Sequence, residues 1–240
     1  MQAIGRIREI CRYPVKSMAG ESLASAALGW HGVEGDRRWA FARKGVAGGF
    51  PWLTASKLPS LITYTPLRDA DAPAGALPSR VRTPAGQELG LRSEALRLEL
   101  EAAHGAPLEL IEISNGIFDD APVSLITTVT IGAIAEGAEI ALDFRRFRPN
   151  LLIEAIDAQP FKEDQWVGRT IRIGEREEAP TLAICTRDVR CVMINLDPAT
   201  AVSDPRVLKS AVRLNANCAG AYGTVIRSGQ VSPGDMLYLM

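Results

Sequence analysis

The chain is poor in the residues that build metal sites with several protein ligands. Its 240 residues include four cysteines and only two histidines, His31 and His104. Structural zinc sites take four such ligands, usually with cysteines paired two to four residues apart. Here the two nearest cysteines, Cys185 and Cys191, have five residues between them, and no second pair exists. This spacing argues against a structural zinc site.

An excess of basic residues is also missing. Lys and Arg total 27 against 28 Asp and Glu, and this balance argues against a nucleic-acid-binding protein. No apolar run approaches the roughly 20 residues that cross a bilayer, and the N-terminal residues lack the apolar stretch of a signal peptide. We therefore expect a cytoplasmic protein with no membrane association, whose cysteines are thiols rather than disulfides.

What is present is the composition of a soluble globular protein, with 47% hydrophobic and 23% charged residues. Short apolar stretches separated by turn residues predict strands, and the alternation over residues 170–173 marks one of them as half-buried. Residues 221–240 predict two strands joined by a turn that contains glycine and proline. The prolines and glycines over residues 65–90 predict a loop or irregular hairpin, not a helix. They are Pro66, Pro73, Pro78, Pro84, Gly75, Gly86 and Gly90.

Two helices are predicted. One follows the polar cap Ser93 and closes at Gly105. The other covers residues 128–144, where apolar side chains recur at helical spacing after a threonine start signal. The predicted fold class is therefore β-rich α+β, with few helices and two barrel-like parts, residues 1–115 and residues 116–240.

Five stretches combine cations and hydroxyl groups next to backbone breaks: "YPVKS" (13–17), "GDRRW" (35–39), "LTASK" (53–57), "FRRFRPN" (144–150) and "CTRDVRC" (185–191). Arginine, lysine and small hydroxyls are the side chains that bind phosphate or an anionic heterocycle. The alternative for any one stretch is a solvated polar loop. The interleaving of arginines with Phe144 and Phe147 favours the anion site.

Three interpretations of the cysteines stay open at this point. Free cysteines are most often small buried residues, and we expect this of Cys11, Cys185 and Cys218. A cysteine hydrolase would need His31 or His104 as its base. Cys191 differs because Arg190 precedes it directly, and nearby cations favour the thiolate that ligates soft metals.

In order along the chain, "YPVKS", "GDRRW", "LTASK", "FRPN", an Arg-Cys followed by "LDPAT", and "VSPGDMLYL" resemble a known family. They are similar to MOSC-domain proteins that carry the MOSC N-terminal β-barrel domain, the group that includes the mitochondrial amidoxime-reducing component and its bacterial relatives. The resemblance runs from Ile7 to Leu239.

The resemblance implies an enzyme that uses the molybdenum–molybdopterin cofactor to reduce N-hydroxylated compounds such as amidoximes, hydroxylamines and N-oxides. It implies that Cys191 ligates molybdenum and that Asp164 is an acidic catalytic residue near the metal. It also implies a set of cofactor-binding residues: Lys16, Ser17, Arg37, Thr127, Thr128, Arg148, Asn150 and Arg190.

The electrons are expected to come from a separate redox protein, because four dispersed cysteines do not form a Cys-rich iron–sulfur motif. The membrane segment of the mitochondrial proteins and the ferredoxin-like domain of some bacterial relatives are not expected in this sequence. An alternative function from another class is a non-catalytic protein that binds or carries the molybdenum cofactor.

Overall fold

The computed structural model describes residues 1–46, 48–69, 71–72 and 76–240. Its main feature is a closed barrel of seven strands in the order β11-β10-β14-β13-β12-β16-β1, with β1 pairing back to β11 and a short β2 added beside β1. These strands are β1 (Gln2–Arg12), β2 (Glu21–Leu23), β10 (Val123–Thr127), β11 (Leu151–Ala155), β12 (Thr170–Ile173), β13 (Thr181–Val189), β14 (Cys218–Arg227) and β16 (Met236–Leu239).

The long strand β1 closes the barrel because it pairs antiparallel with both β11 and β16. Its register shifts once in each pairing, between Ile7 and Glu9 and between Ala3 and Gly5, and such bulges let a strand bend around a barrel. A side chain on Gly5 would come within 2.6 Å of the Glu154 carbonyl oxygen, so glycine permits this close approach. The barrel encloses a core rich in Ile, Leu and Val.

Three smaller sheets lie outside the barrel: β15-β3-β4, β5-β9 and β6-β7-β8. Their strands are β3 (Ala26–Gly29), β4 (Gly32–Val33), β5 (Trp39–Arg43), β6 (Thr65–Leu67), β7 (Arg80–Arg82), β8 (Glu88–Gly90), β9 (Leu108–Glu112) and β15 (Gly229–Val231). A second core, built on Trp39, Phe41 and Leu53, packs the β5-β9 and β6-β7-β8 sheets against the first helix, whereas the β15-β3-β4 sheet packs on the barrel core. The described residues between 65 and 90 form no helix, as predicted. Pro73 and Gly75 of that prediction lie outside the described residues.

The described residues form the α-helices α1 (Glu94–His104), α2 (Thr128–Ala138) and α3 (Arg206–Asn215). The capping prediction for α1 is confirmed, since the Ser93 hydroxyl accepts from the Leu96 amide and Gly105 is left-handed. The predicted extent of α2 is wrong, because the helix ends at Ala138 with Glu139 in the left-handed conformation. The apolar spacing continues after that point because Ile140 and Leu142 pack on the same core from a non-helical segment.

The fold-class prediction of a β-rich chain with few helices is confirmed. The C-terminal residues form three strands (β14, β15 and β16) instead of the two predicted, because β15 leaves the barrel to pair with β3. The division near residue 115 stays a prediction, and β1 shares its sheet with strands that begin after residue 120. Among the residues described, no helix has both the length and the apolarity needed to span a membrane.

Candidate functional site

A cavity of about 350 Å³ lies where the turn after β1, the turn before β5, the segment before β11 and the end of β13 meet. It brings together six residues that the sequence analysis selected: Lys16, Ser17, Arg37, Arg148, Arg190 and Cys191. The "LTASK" stretch also reaches it, through Thr54, Ser56 and Lys57. Across the described lining, six cationic side chains face three carboxylates, so the cavity is a cationic site.

The backbone at this cavity is held in an unusual conformation. Ser17, Arg37 and Arg148 all adopt left-handed φ angles, at 65°, 47° and 52°. This conformation costs a non-glycine residue about 1–2 kcal/mol, and such strain persists where the surrounding structure imposes it. Three strained residues around one cavity indicate that side-chain placement there is maintained at a cost in stability.

Lys16 is the most deeply set lysine of the cavity, with 5% of its surface exposed. Its Nζ donates to Asp119 Oδ1 at 2.7 Å and to the Ile117 carbonyl oxygen at 3.2 Å, and it lies 5.4 Å from the centroid of the Phe50 ring. Burial lowers the pKa of Lys16 below its ordinary value, while the Asp119 carboxylate opposes that shift. Lys16 therefore remains a cation through its ion pair with Asp119.

Arg148 is a cation of the cavity whose hydrogen-bond donors are only partly satisfied by the described residues. Its Nη1 donates to the Met18 carbonyl oxygen at 2.7 Å, whereas its buried Nη2 has no hydrogen-bond partner among the described residues. Burial lowers the pKa of Arg148 to about 10, and nearby Arg37 acts in the same direction. A buried donor without a partner costs free energy, and an anionic ligand in the cavity would satisfy it.

Arg190 is held against the barrel by two carbonyl groups and one carboxylate. Its Nε donates to the Ala219 carbonyl oxygen and its Nη1 to the Phe147 carbonyl oxygen, each at 2.7 Å. Its Nη2 lies 2.8 Å from Asp188 Oδ2, which also accepts from the Ser124 hydroxyl at 3.0 Å. Burial raises the pKa of Asp188 to about 6 despite the opposing effect of Arg190. The wall of the cavity beside Cys191 is thus a buried arginine–aspartate pair.

Cys191 lies at the exposed side of the cavity, in the N-cap position of a 3₁₀ helix, Val192–Asn195. Its thiol is accessible next to the cationic wall. The expectation that Cys185 is buried packing is wrong, because it is exposed on β13, where its Sγ lies 3.6 Å from the Thr224 hydroxyl. Cys185 does not line the cavity. The burial predicted for Cys11 and Cys218 is confirmed.

Asn150 lies behind the cavity instead of lining it. Its Oδ1 accepts from the Ser124 amide at 3.0 Å and from Arg37 Nη1 at 3.3 Å, and its Nδ2 donates to the Cys11 carbonyl oxygen. The side chain is fully buried. Its contact with the cavity is therefore indirect, through the guanidinium of Arg37.

The structure places Thr127 and Thr128 away from the cavity. Thr127 caps α2, where its hydroxyl accepts from the Thr130 amide and lies 3.2 Å from the buried carboxylate of Glu163. Thr128 lines a wider depression of about 760 Å³ beside α2, and the described lining of this depression shares no residue with that of the cavity. Helix capping accounts for the polar character of Thr127.

Asp164 is also outside the cavity lining. Its Oδ2 lies 3.0 Å from Arg187 Nε and accepts from Asn215 Nδ2 at 2.9 Å. The 3₁₀ helix Lys162–Trp166 fixes it beside β13 and the end of α3. The acidic residues that do line the cavity are Asp119, Asp120 and Asp188.

The sequence analysis missed those three carboxylates and Tyr13. Tyr13 is 2% exposed, and its ring lies beneath two of the cavity's arginines. A local signal existed for Asp119 and Asp120, since two adjacent acids directly precede an apolar strand. Tyr13 opens the selected "YPVKS" stretch, but nothing local gave its ring a role, because a buried tyrosine after a strand is ordinary core packing.

The donor set of the cavity suits one thiolate and an anion better than a metal held by several side chains. Among the described residues, no three His, Cys, Asp or Glu side chains come together as a metal-binding group. Neither His31 nor His104 lines the Cys191 cavity, so no histidine is in place to act as the base of a cysteine hydrolase.

Comparisons with known proteins identify the family of the chain. Residues 102–238 match the MOSC domain, and residues 4–114 match the MOSC N-terminal beta barrel domain. Mitochondrial amidoxime-reducing component 1 of Danio rerio is 30% identical over 129 residues, which are 50% of this chain and 37% of that protein. Mitochondrial amidoxime reducing component 2 of Bos taurus is 28% identical over 135 residues, 51% of this chain and 38% of that protein.

The match to these curated relatives thus spans less than two fifths of their length. A solved structure, the YUAD protein from Bacillus subtilis, superposes with a TM-score of 0.52 at 12% identity and covers 98% of this chain and 95% of that chain. That likeness shows a shared fold. With the family match over more than half of its residues, the chain belongs to the MOSC domain family and carries the MOSC N-terminal beta barrel domain as well.

Proposed function

We propose that the Cys191 cavity holds the molybdenum–molybdopterin cofactor, and that the protein uses it to reduce N-hydroxylated compounds with electrons from a separate redox protein. The observation that carries this proposal is the meeting of an accessible thiol and a buried cationic wall in one cavity. Family membership and the names of the amidoxime-reducing relatives support it.

The residues fit the anionic part of such a cofactor. A phosphate needs cations and hydrogen-bond donors that are not already satisfied. Arg148 Nη2 is buried and has no hydrogen-bond partner in the described part of the chain, and Lys16, Ser17 and Arg37 lie around the same cavity. We assign the phosphate to this group, with Arg148 supplying a donor, Nη2, that no described residue satisfies.

The thiol side fits as well. Cys191 offers a soft sulfur ligand at the exposed rim of the cavity. The preceding residue, Arg190, contributes its guanidinium to the cavity wall. When bound, the cofactor supplies two-electron reduction chemistry, in which an N-hydroxylated substrate, two electrons and two protons become the N–H product and water. The protein's own contribution is to hold the cofactor, leave the thiol side open to substrate, and supply protons.

We assign proton delivery to carboxylates of the cavity and not to Asp164. A proton donor must come within hydrogen-bond reach of the substrate, and Asp164 is bound instead to Arg187 and Asn215. Asp119 holds Lys16 through Oδ1, while its Oδ2 has no partner among the described residues and its side chain is 60% exposed. We therefore propose that Asp119 relays protons between solvent and the cavity; burial raises the pKa of this carboxyl, but Lys16 and the nearby arginines outweigh that effect and lower it, so it would pass protons on instead of storing one.

The test is to produce the protein in a host that makes the cofactor, to measure molybdenum and pterin per chain, and to assay benzamidoxime reduction with reduced methyl viologen. Bound cofactor with turnover supports the proposal. Bound cofactor without turnover of benzamidoxime or a hydroxylamine favours the non-catalytic carrier. Protein that retains neither molybdenum nor pterin overturns both.

The proton assignment has its own comparison, between Asp119→Asn and Asp164→Asn. We expect Asp119→Asn to lower kcat by about 10²-fold, the usual range for losing a positioned acid or base. Asp164→Asn should stay within about threefold of the unchanged protein, since it lies outside the cavity. The reverse order of the two effects would return the catalytic role to Asp164.

A further inference from the structure

Two of the sequence stretches contain charged residues whose pairing the site description has not explained: Arg146 in "FRRFRPN", which is one of the six cations lining the cavity, and Asp197 in "NLDPAT", which lies outside that lining. The structure joins them. Arg146 Nη2 lies 3.0 Å from Asp197 Oδ2, and Arg146 Nη1 donates to the Asn195 carbonyl oxygen at 2.7 Å. Only 6% of Arg146 is exposed, although Asp197 reaches the surface.

Asp197 is itself the centre of a tight turn. Its Oδ1 accepts from the amides of Ala199 and Thr200 at 3.0 and 3.1 Å and from the Thr200 hydroxyl at 3.1 Å. One carboxylate oxygen therefore closes the turn while the other binds Arg146. This arrangement makes the turn a rigid partner for the arginine.

Asn195 connects the same turn to α3 and to Cys191. Its carbonyl oxygen accepts from Arg146 and from the Asp204 amide, and its Oδ1 accepts from the Leu208 amide at 2.9 Å. Asn195 is the last residue of the 3₁₀ helix that begins directly after Cys191. Arg146 therefore holds the far end of the segment that carries the thiol.

The same arginine also belongs to the anion-binding segment. It lies two residues before Arg148, which has a left-handed backbone and lines the cavity. A planar guanidinium can bind a carbonyl oxygen and a carboxylate with separate nitrogens, whereas a lysine ammonium is a single point charge. Arginine is therefore the residue type that suits the two contacts of Arg146, with the Asn195 carbonyl oxygen and the Asp197 carboxylate.

We propose that Arg146 and Asp197 are positioning residues that fix the Cys191 turn relative to the cationic wall. Their contact sets the place of the thiol with respect to the group that Arg148 binds. The role of the Cys191 thiol as a ligand rests on the proposed function. Its positioning by Arg146 and Asp197 does not, because it is a property of the cofactor-free chain and is tested on cofactor-free protein.

Asp197→Asn is the decisive variant. Asp197 lies outside the cavity lining, and asparagine keeps an oxygen that can close the turn while losing the charge that binds Arg146. Asp204→Asn is the matched control, because Asp204 is an aspartate of the same loop that pairs with exposed Arg206 at 2.6 Å. Arg146→Lys is the second variant. It keeps the positive charge but lacks the planar guanidinium whose separate nitrogens bind Asn195 and Asp197.

The measurement is the rate of iodoacetamide alkylation at Cys191 in cofactor-free protein, followed by mass spectrometry of tryptic peptides. Trypsin cleaves after Arg187 and Arg190, so Cys185 and Cys191 appear in different peptides. Because Cys185 is exposed and does not line the cavity, its alkylation rate is an internal reference in every sample.

We expect the Cys191-to-Cys185 rate ratio to change by at least about threefold in Asp197→Asn and in Arg146→Lys, as a released segment opens more often. Asp204→Asn should leave the ratio unchanged, and binding of inorganic pyrophosphate should stay within about twofold in Asp197→Asn. An unchanged ratio in Asp197→Asn or in Arg146→Lys overturns the inference, as does an equal change in Asp204→Asn. If Asp197→Asn does not fold, Arg146→Lys decides alone. The alkylation ratio does not depend on reductase activity. The positioning proposal can therefore hold even if the proposed reductase function is wrong, and the reverse is also true.

Discussion

The guanidinium carbon of Arg148 lies 4.2 Å from the centroid of the Tyr13 ring, and Arg37 lies 5.1 Å from the same ring. One buried aromatic side chain thus supports both arginines. Contacts of this kind offset part of the cost of burying a cation. The remaining cost is visible at Arg148, whose pKa burial lowers to about 10. The site keeps two cations close together and leaves one of them incompletely paired.

We expect Arg148→Met to weaken pyrophosphate binding by roughly tenfold or more, because a hydrogen bond to a charged group contributes about 1.5–3 kcal/mol. The melting temperature should not fall, since the substitution removes a buried, partly unpaired charge. Isothermal titration calorimetry and thermal unfolding measure the two effects. Arg145→Met is the control, because Arg145 is exposed, pairs with Asp143 and does not line the cavity. Equal loss of binding in both variants would contradict the assignment.

The two exposed cysteines should behave differently. We expect Cys191→Ser to abolish activity and to lower the molybdenum content of protein made in a cofactor-competent host, because a hydroxyl is a poor substitute for a soft sulfur ligand. Cys185→Ser should retain most of both, because Cys185 lies outside the cavity. Metal analysis and the benzamidoxime assay on matched preparations give the answer. Equal effects would mean that Cys191 is not the ligand.

The raised pKa of Asp188 predicts that anion binding to the cavity depends on pH. Its pKa in the folded protein is raised to about 6 by burial, so the carboxylate is charged above that pH and becomes protonated as the pH falls through it. Protonation removes a negative charge from the cavity wall and frees Arg190. We therefore expect sulfate to bind more tightly at pH 5 than at pH 7.5, by about tenfold if the change is near 1.4 kcal/mol.

Sulfate is the probe because it does not titrate in this range, and its affinity is read from the increase in melting temperature with concentration. Asp188→Asn should bind sulfate with nearly the same affinity at both pH values. A pH dependence that survives in Asp188→Asn would assign it to another group.

Gly220 makes the close packing of Arg190 possible. Its φ is +92°, and a Cβ there would lie 2.5 Å from the Leu125 carbonyl oxygen and 3.0 Å from Arg190 Nη2. We expect Gly220→Ala to lower the free energy of unfolding by about 2 kcal/mol or more, through backbone strain and this overlap. Denaturant unfolding measures the change.

Gly132 provides the matched substitution. It lies inside α2, where a Cβ would meet nothing within 4 Å. Gly132→Ala should raise the free energy of unfolding by about 0.5–1 kcal/mol, because alanine loses less conformational entropy in a helix. Destabilisation by both substitutions would show that Gly220 has no special role.

Local features of the sequence were sufficient for some elements and not for others. α1 is predictable because Ser93 and Gly105 determine its ends through contacts within a few residues. The end of α2 is not, because Ile140 and Leu142 continue the apolar spacing beyond the helix and pack on the same core. The spacing of apolar residues reports burial, and burial continues here after the helical backbone has ended.

The sequence by itself determined the β-rich class and the cationic stretches, because both are local properties of composition and pattern. Tertiary structure alone decided which of the chosen residues meet. Lys16 pairs with Asp119, 103 positions away, and β1 closes the barrel against β11 and β16 near the other end of the chain. Contacts between residues so far apart depend on how strands pair and close, and no local pattern records them. The same packing brought Arg148 and Cys191 into one cavity and turned Asp164 towards Arg187.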